Sequence, residues 1–326
     1  MTDLSAVRKG ERVYLSWTEP TENTDSLPIR GAISTVVCRD PEAMSPGCAG
    51  GALESPNWQY AHPNGPKTGT PLRREFSDEL PPKLLGNDPR SRVFYAVSIL
   101  NQRSREAGIS NVVSVPALAS LAPPEHFGAE VTTDGVVLTW VEIHSVPDIP
   151  HVTRLYRVYR RDEKTNQDAI AGELPFDSSA PRLLDSTFAW EKTYLYRITV
   201  VTAIEIAGQP ETQFEGDDSP PVRVFAHDIF PPAVPSDLQA VFSGAGQQPF
   251  IDLIWAPDTE ADLAGYNVYR HEESNEPVKI NSSPTKSPAF RDSNVASGHI
   301  YTYSVSAVDI RGNESARSSE TSERVP

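Results

Sequence analysis

The chain has 326 residues, of which 38% are hydrophobic and 22% are charged, and this is the composition of a globular protein. Its formal net charge of -15 disfavours binding to nucleic acid or anionic lipid, since affinity for either depends on clustered Lys and Arg. No apolar stretch approaches the roughly 20 residues that span a bilayer, and 30 prolines favour short strands over long helices. We therefore predict an all-β protein with no nucleic-acid partner.

The amino terminus leads directly into strand-like sequence. Met1 to Leu4 contain neither the charged region nor the apolar region of a secretion signal. The protein is therefore either cytosolic or has lost a leader segment, and we favour the second reading because Met1 leaves no arm before the first strand. On this reading the protein is extracytoplasmic, and it is secreted, periplasmic or a lipoprotein whose lipid anchor lies outside this chain.

Three large apolar residues at alternate positions recur three times, and each run predicts a buried strand because alternate strand residues share a face. The runs are Val13-x-Leu15-x-Trp17, Val136-x-Leu138-x-Trp140 and Ile251-x-Leu253-x-Trp255. Each is followed by a second alternating run, which begins at Tyr95, Tyr196 and Tyr303. The repeat predicts three β-domains, each with one of these tryptophans and one of these tyrosines in its core.

The first repeat carries an insertion around residues 40–75. Its tryptophan and tyrosine lie 78 residues apart (17 to 95), against 56 in the second repeat (140 to 196) and 48 in the third (255 to 303). The chain has two cysteines, Cys38 and Cys48, and the second lies in the insertion. They either form a disulfide, which would indicate an oxidising compartment, or remain two unpaired thiols.

Three aromatic residues outside the predicted core strands are candidates for binding. Trp58 and Tyr60 lie in the insertion, and Trp190 lies in a turn before the tyrosine strand of the second repeat. Each side chain either packs on its own or a neighbouring domain, or is exposed to contact a protein or stack on a sugar.

Proline clusters separate the repeats, at Pro123-Pro124 and at Pro231-Pro232. They predict domains at 1–119, 120–226 and 227–326. Because proline fixes φ and restricts the preceding residue, such short linkers are stiff, and neighbouring domains should keep a few preferred orientations.

Further positions repeat with the tryptophans and tyrosines. A strand ending in arginine follows each Trp strand, at Arg39, Arg160 and Arg270. Tyr266-x-Val268-Tyr269-Arg270 and Tyr303-x-Val305-x-Ala307 carry the strongest resemblance to fibronectin type III domains, which are seven-stranded relatives of immunoglobulin domains. The resemblance covers essentially the whole chain. It implies three immunoglobulin-like β-sandwiches in tandem, in which Tyr95, Tyr196 and Tyr303 bond a backbone group upstream.

This resemblance implies a non-catalytic binding or spacer protein that mediates protein or carbohydrate contacts at the cell envelope. We expect it to act as a monomer and without a cofactor. One alternative is an ancillary region of a polysaccharide-degrading enzyme whose catalytic domain lies outside this chain. Another is a receptor ectodomain with its ligand site at a junction between repeats.

No catalytic motif is readable in the sequence. It lacks Gly-x-Ser-x-Gly, the phosphate-binding loop and His-Glu-x-x-His, and its seven histidines are scattered. We therefore predict no catalytic residue and no metal site. Two acidic groups, one at Asp258 to Asp262 and one at Glu211 to Asp218, are interpreted as a turn and a solvated loop.

Overall fold

The structure is a computed structural model that describes residues 2–22, 33–42, 52–53, 72–101, 103–144, 146–176, 178, 181–244, 248–273 and 275–326. Apart from a 3-10 turn at Pro82–Leu84, the regular elements of these residues are β-strands. The predicted all-β, immunoglobulin-like class is confirmed. The chain forms two compact units, Met1–Ala226 and His227–Pro326. The boundary that we place at 119/120, inside the first unit, stays a prediction.

The first domain pairs two sheets around a core that includes Trp17 and Tyr95, both 0% exposed. One sheet contains β1, β2 and β4, and the other contains β3, β5, β6 and β7. The strands are β1 (Ser5–Lys9), β2 (Arg12–Thr18), β3 (Ile33–Asp40), β4 (Arg73–Glu79), β5 (Arg92–Asn101), β6 (Glu106–Ile109) and β7 (Val113–Pro116).

The second domain has a larger second sheet. Strands β12, β9 and β8 form one sheet, and β11, β10, β13, β14 and β15 belong to the other. Trp140 and Tyr196 lie in the core between them. The strands are β8 (Gly128–Thr132), β9 (Gly135–Thr139), β10 (Val152–Asp162), β11 (Asp168–Pro175), β12 (Arg182–Asp185), β13 (Lys192–Ile204), β14 (Thr212–Glu215) and β15 (Val222–Ala226).

The third domain forms the second compact unit. Its sheets have the orders β16-β17-β20 and β19-β18-β21-β22, and Trp255 and Tyr303 lie in its core. The strands are β16 (Gln239–Ser243), β17 (Phe250–Ile254), β18 (Leu263–Glu272), β19 (Val278–Lys279), β20 (Ala289–Asp292), β21 (Ile300–Asp309) and β22 (Thr321–Arg324).

The partner of the core tyrosine differs from the expectation. Each hydroxyl donates to a buried aspartate and not to a backbone group, at 2.7 Å for Tyr95 and 2.9 Å for both Tyr196 and Tyr303. The acceptors are Asp78, Asp185 and Asp292. The prediction of a backbone partner was therefore wrong, because a buried carboxylate needs donors more than an already paired carbonyl does.

The same carboxylate oxygen also pairs with the arginine that ends the third strand. In the third domain, Arg270 Nη1 lies 2.7 Å from Asp292 Oδ2. The equivalent pairs are Arg39 with Asp78 at 2.8 Å and Arg160 with Asp185 at 2.6 Å. Burial, with the hydrogen bond and charge of Asp292, raises the pKa of Tyr303, so its hydroxyl keeps its proton.

Replacing the buried hydroxyl should destabilise the third domain. We expect Tyr303→Phe to lower its free energy of unfolding by about 1.5 to 3 kcal/mol, the contribution of a hydrogen bond to a charged group. Amide hydrogen exchange in β18 and β21 measures this loss. Tyr269→Phe is the matched control, because Tyr269 donates to the exposed Glu314. A loss for Tyr303→Phe no larger than for the control would contradict a structural role for the buried bond.

Candidate functional site at the first domain junction

Backbone pairing joins the first two domains. Strand β1 lies parallel to β14, with Lys9 in register with Glu215, and the N–H of Gly10 donates to the carbonyl oxygen of Glu215 at 2.7 Å. The two domains therefore share one eight-stranded sheet, of order β11-β10-β13-β14-β1-β2-β4 with β15 paired to β13. A shared sheet fixes the relative position of the two strands at the junction.

The turn between β1 and β2 places Gly10 beside Asp217 of the second domain. Gly10 has a φ of +57°, in the left-handed region. A Cβ placed there would lie 2.2 Å from Oδ1 of Asp217. A larger residue would therefore strain the turn through its backbone conformation and would require the Asp217 side chain to move.

Glu215 is the central carboxylate of the junction. Lys9 Nζ lies 3.3 Å from its Oε2, Arg157 Nη1 lies 2.8 Å from its Oε1, and the Tyr159 hydroxyl donates to Oε1. Burial would raise the pKa of Glu215, but the hydrogen bonds from Tyr159, Arg157 and Lys9 outweigh it and lower that pKa. The carboxylate is therefore held in its charged form.

Lys9 also pairs with Asp218, at 2.8 Å. Asp218 in turn accepts from Arg197 Nε at 3.0 Å, and Arg197 continues to Asp168 at 2.8 Å. The acidic loop of Glu211 to Asp218, which we predicted to be solvated, is thus partly used to hold the first domain. The prediction was wrong for Glu215 and Asp218, because their counter-charge, Lys9, lies 206 residues away in sequence from Glu215, whereas Glu211 and Asp217 are exposed as predicted.

Arg8 is buried at the junction, with 4% of its surface exposed. Its guanidinium donates to the carbonyl oxygens of Gly10, Pro116 and Leu118 at 2.9, 2.6 and 2.7 Å. It also lies 4.3 Å from the ring centroid of Phe214 in the second domain. Burial lowers the pKa of Arg8, and the three carbonyls with the aromatic face compensate for the lost water.

A small apolar cluster completes the junction. It consists of Leu118, Ile149, Ile204 and Phe214, all buried, with Val152 and Ile206 packed against them. Counted from the core tyrosine of each domain, the position of Ile204 is occupied by Arg103 in the first domain and Arg311 in the third. Counted from the glutamate of the following hairpin (Glu106, Glu215 or Glu314), the position of Phe214 is occupied by Arg105 in the first domain and Asn313 in the third. The apolar pair is thus specific to the second domain.

The sequence contains this apolar pair, but the different hairpin lengths prevent the equivalent positions of the three domains from being aligned by sequence alone. The distance from the core tyrosine to the hairpin glutamate is 11 in the third domain (303 to 314) and 19 in the second (196 to 215). Val201 pairs with Glu215 as Val308 pairs with Glu314, so the two glutamates are equivalent. Only this pairing shows that eight extra residues lie in the hairpin.

Of the binding and disulfide candidates from the sequence, the structure describes Cys38 and Trp190, and neither is among the junction residues named above. Trp58, Tyr60 and Cys48 fall outside the described residues, as does most of the insertion at 40–75. Cys38 is buried and disulfide-bonded. Trp190 is half-buried, packs against the core of the second domain and contacts Phe188 edge-on, with ring centroids 4.7 Å apart.

One acidic group gathers in the third domain. Carboxylate oxygens of Asp228, Asp262 and Asp309 lie within 4.8 Å of one another. Arg311 lies 3.1 Å from Asp228 and 3.9 Å from Asp262. The arginine thus supplies positive charge to this cluster.

Part of the chain matches a whole fibronectin-like protein. An Fn3-like protein from Clostridium thermocellum is 32% identical, and the match covers 96% of that chain and 30% of this one, with a TM-score of 0.26. The chain belongs to the fibronectin type III family. The FN1-FN3 domains of chicken CNTN1 align over 99% of this fibronectin type III chain and 98% of their own, at 12% identity and a TM-score of 0.30.

Curated relatives match a shorter stretch. An amylopullulanase of Thermoanaerobacterium saccharolyticum is 38% identical over 94 residues, 29% of this chain. That of Thermoanaerobacterium thermosulfurigenes is 39% identical over 94 residues, 28% of this chain. This fibronectin type III chain spans only 7% and 5% of the length of these two relatives. No protein-family model matches it.

A double-mutant cycle tests the link between Lys9 and Glu215. We expect Lys9→Ala and Glu215→Gln to be coupled by about 0.5 to 2 kcal/mol in the free energy of unfolding of Met1–Ala226, because their side chains are mostly buried and in contact. Urea denaturation measures each variant. The matched cycle pairs Lys9→Ala with Glu314→Gln, the equivalent glutamate of the third domain. A Lys9–Glu215 coupling indistinguishable from that of the matched cycle would show that the ion pair does not join the domains.

Acid should weaken this junction. Because folding lowers the pKa of Glu215 from its ordinary 4.5, its contribution to stability is present above that pH and is lost as the pH falls through the folded value. We expect the stability of Met1–Ala226 to fall more steeply below about pH 4.5 in the wild type than in Glu215→Gln. Denaturation curves from pH 3 to 6 measure the two slopes. Equal slopes would mean that Glu215 does not titrate with folding.

Proposed function

We propose that this chain is a non-catalytic, ancillary region of a polysaccharide-degrading enzyme, in which the first two domains act as a single stiff spacer. The observation that carries the proposal is the shared sheet at Lys9 and Glu215, closed by the buried Arg8. Shared strands and a buried cation resist bending, whereas domains joined only by a linker reorient. The similarity of 94 residues to part of two amylopullulanases supports the connection to such an enzyme.

The distribution of aromatic side chains supports a spacer more than a sugar-binding module. Stacking on sugar rings needs exposed aromatic faces. Within the described residues, the exposed large hydrophobic side chains include two aromatics, Tyr14 at 48% and Phe225 at 51%, and these belong to different domains. Trp190, the described candidate, is half-buried against its own core.

We place the protein in an extracytoplasmic compartment. The disulfide at Cys38 supports this location, since disulfides persist in oxidising compartments. In the described part of the chain, no helix has the length and hydropathy needed to cross a bilayer. Secretion as part of an enzyme, and action as a monomer, are parts of the same proposal.

Two measurements on the whole chain test the spacer. Residual dipolar couplings of the first two domains should fit one alignment tensor in the wild type and two in Arg8→Ala, because that change removes the cation that lies over the Phe214 ring of the second domain. The chain alone should release no reducing ends from pullulan or starch and should not sediment with insoluble starch. Two tensors in the wild type would exclude a stiff spacer. Hydrolysis or sedimentation would show a catalytic or carbohydrate-binding function in its place.

A further inference from the structure

The third domain repeats the glutamate site of the first junction. Glu314 holds the position that Glu215 holds in the second domain. The hydroxyl of Tyr269 donates to Oε1 of Glu314 at 2.5 Å, as that of Tyr159 donates to Glu215. The two sites therefore share a glutamate–tyrosine pair, and they differ in the cation that Lys9 supplies to the first of them.

The charge of Glu314 has no ion-pair partner within the part of the chain that the structure describes. Its Oε1 accepts from three neutral donors, namely Asn267 at 2.9 Å, Tyr269 and the Ser306 hydroxyl. Burial would raise the pKa of Glu314, but these three hydrogen bonds and the nearby charge of Lys279 outweigh it and lower that pKa. The carboxylate is therefore held in its charged form without a cation in contact with it.

A nearby arginine does not fill the place of Lys9. Arg317 lies over the Tyr269 ring, 5.3 Å from its centroid. In the second domain Arg197 also lies over the equivalent tyrosine, at 4.5 Å, and Lys9 still contacts the glutamate beside it. A cation on the ring is therefore compatible with a further cation at the carboxylate.

A buried acceptor beside this carboxylate lacks a donor. Asn267 is 4% exposed, and its Oδ1 has no hydrogen-bond partner among the described residues. Its Nδ2 donates to Glu314, so Oδ1 of the same amide lies within about 5 Å of the accepting oxygen. Buried acceptors are seldom left without a donor. A positive charge bound at Glu314 would stabilise this oxygen as well as the carboxylate.

The backbone of Glu314 is open to another strand. On either side of it the chain bonds to β21, since the carbonyl oxygen of Asn313 accepts from Asp309 and the N–H of Ser315 donates to Ala307. Bonded and unbonded positions alternate along an antiparallel pair, so the N–H and C=O of Glu314 point away from β21. Neither group has a hydrogen-bond partner among the described residues.

The occupant of the equivalent edge shows what fits such a site. At the first junction the N–H of Gly10 donates to the carbonyl oxygen of Glu215 at 2.7 Å, and Lys9 contacts the carboxylate. One strand end thus supplies both the backbone donor and the cation. Lysine followed by glycine occurs once in this chain, and that pair is used at Glu215. A strand that fits Glu314 in the same way therefore comes from another protein.

We propose that the sheet edge at Glu314 is a docking site for a β-sandwich domain of a partner protein, in which a strand ends in Lys-Gly and places its lysine on the Glu314 carboxylate and its glycine N–H on the Glu314 carbonyl oxygen. Asn313 stands where the second domain has Phe214, so the aromatic contact of the first junction is missing. Binding is therefore reversible and weakens as salt is raised. The site does not depend on the spacer function, since it uses no residue of the first two domains.

The first test is an amide chemical-shift titration of the ¹⁵N-labelled whole chain. The probe is an acetylated and amidated peptide with the sequence of Ser5 to Glu11, in which Arg8→Ser leaves no net charge. We expect saturable shifts at millimolar peptide, largest at Glu314 and Ser315, and weaker binding when glutamine replaces the lysine. Shifts confined to other parts of the chain, no shift at all, or equal binding of the same residues in scrambled order would each overturn the proposal.

A second peptide isolates the backbone bond. N-methylglycine in place of the glycine removes the N–H that would donate to the Glu314 carbonyl oxygen, and it should weaken binding by about three- to ten-fold. Because the chain itself is unchanged, this result cannot come from an altered fold. Equal affinity for the two peptides would show that the peptide does not bind as an added strand.

Two variants of the chain test the charge. Glu314→Gln keeps an oxygen for the three neutral donors and should weaken the lysine peptide by about two- to five-fold. Glu276→Gln, which changes an exposed carboxylate of the same domain, should leave its affinity unchanged. An equal effect of the two variants, or none in Glu314→Gln, would overturn the proposal.

Discussion

A carboxylate shared by an arginine and a tyrosine connects the two sheets of every domain. In the third domain, Asp292 lies on β20, whereas Arg270 and Tyr303 lie on strands of the opposite sheet. Hydrophobic contact between apolar side chains holds the sheets together, but it is not directional. The hydrogen bonds of the shared carboxylate have a defined geometry and so set how the two sheets face each other. A buried carboxylate without its partners would be strongly destabilising, and therefore the three groups depend on one another.

The domains share this internal framework and differ at their ends. Strands, core tryptophan and shared carboxylate recur three times, whereas the hairpin after the core tyrosine is apolar only in the second domain, at Ile204 and Phe214. That hairpin receives Gly10 of the β1–β2 turn and the buried Arg8 of β1 from the first domain. The local difference explains why residues 1–226 form one compact unit, since hydrophobic contact, strand pairing and ion pairs act at the same place.

Sequence periodicity predicts the inside of these domains well, because a buried strand face must alternate. Val13, Leu15 and Trp17 are all buried, as their spacing requires. The pattern does not give the partner of a polar group, since Asp185 and Tyr196 meet across two sheets.

Long-range contacts at the junction were less predictable. The role of Glu215 depends on Lys9, and a loop of acidic residues has the same appearance whether it is solvated or paired. Trp190 could not be assigned from sequence, because an aromatic residue in a turn is compatible with either burial or exposure.

The apolar hairpin of the second domain also restricts how these domains can be rearranged. Recombination of tandem domains in a new order succeeds when each domain has a polar surface at both ends. A second domain moved to the first position would expose Ile204 and Phe214 to water, and a first domain without this neighbour would lose the aromatic face over Arg8. We therefore expect the first two domains to keep their stability only when they are moved together as a pair.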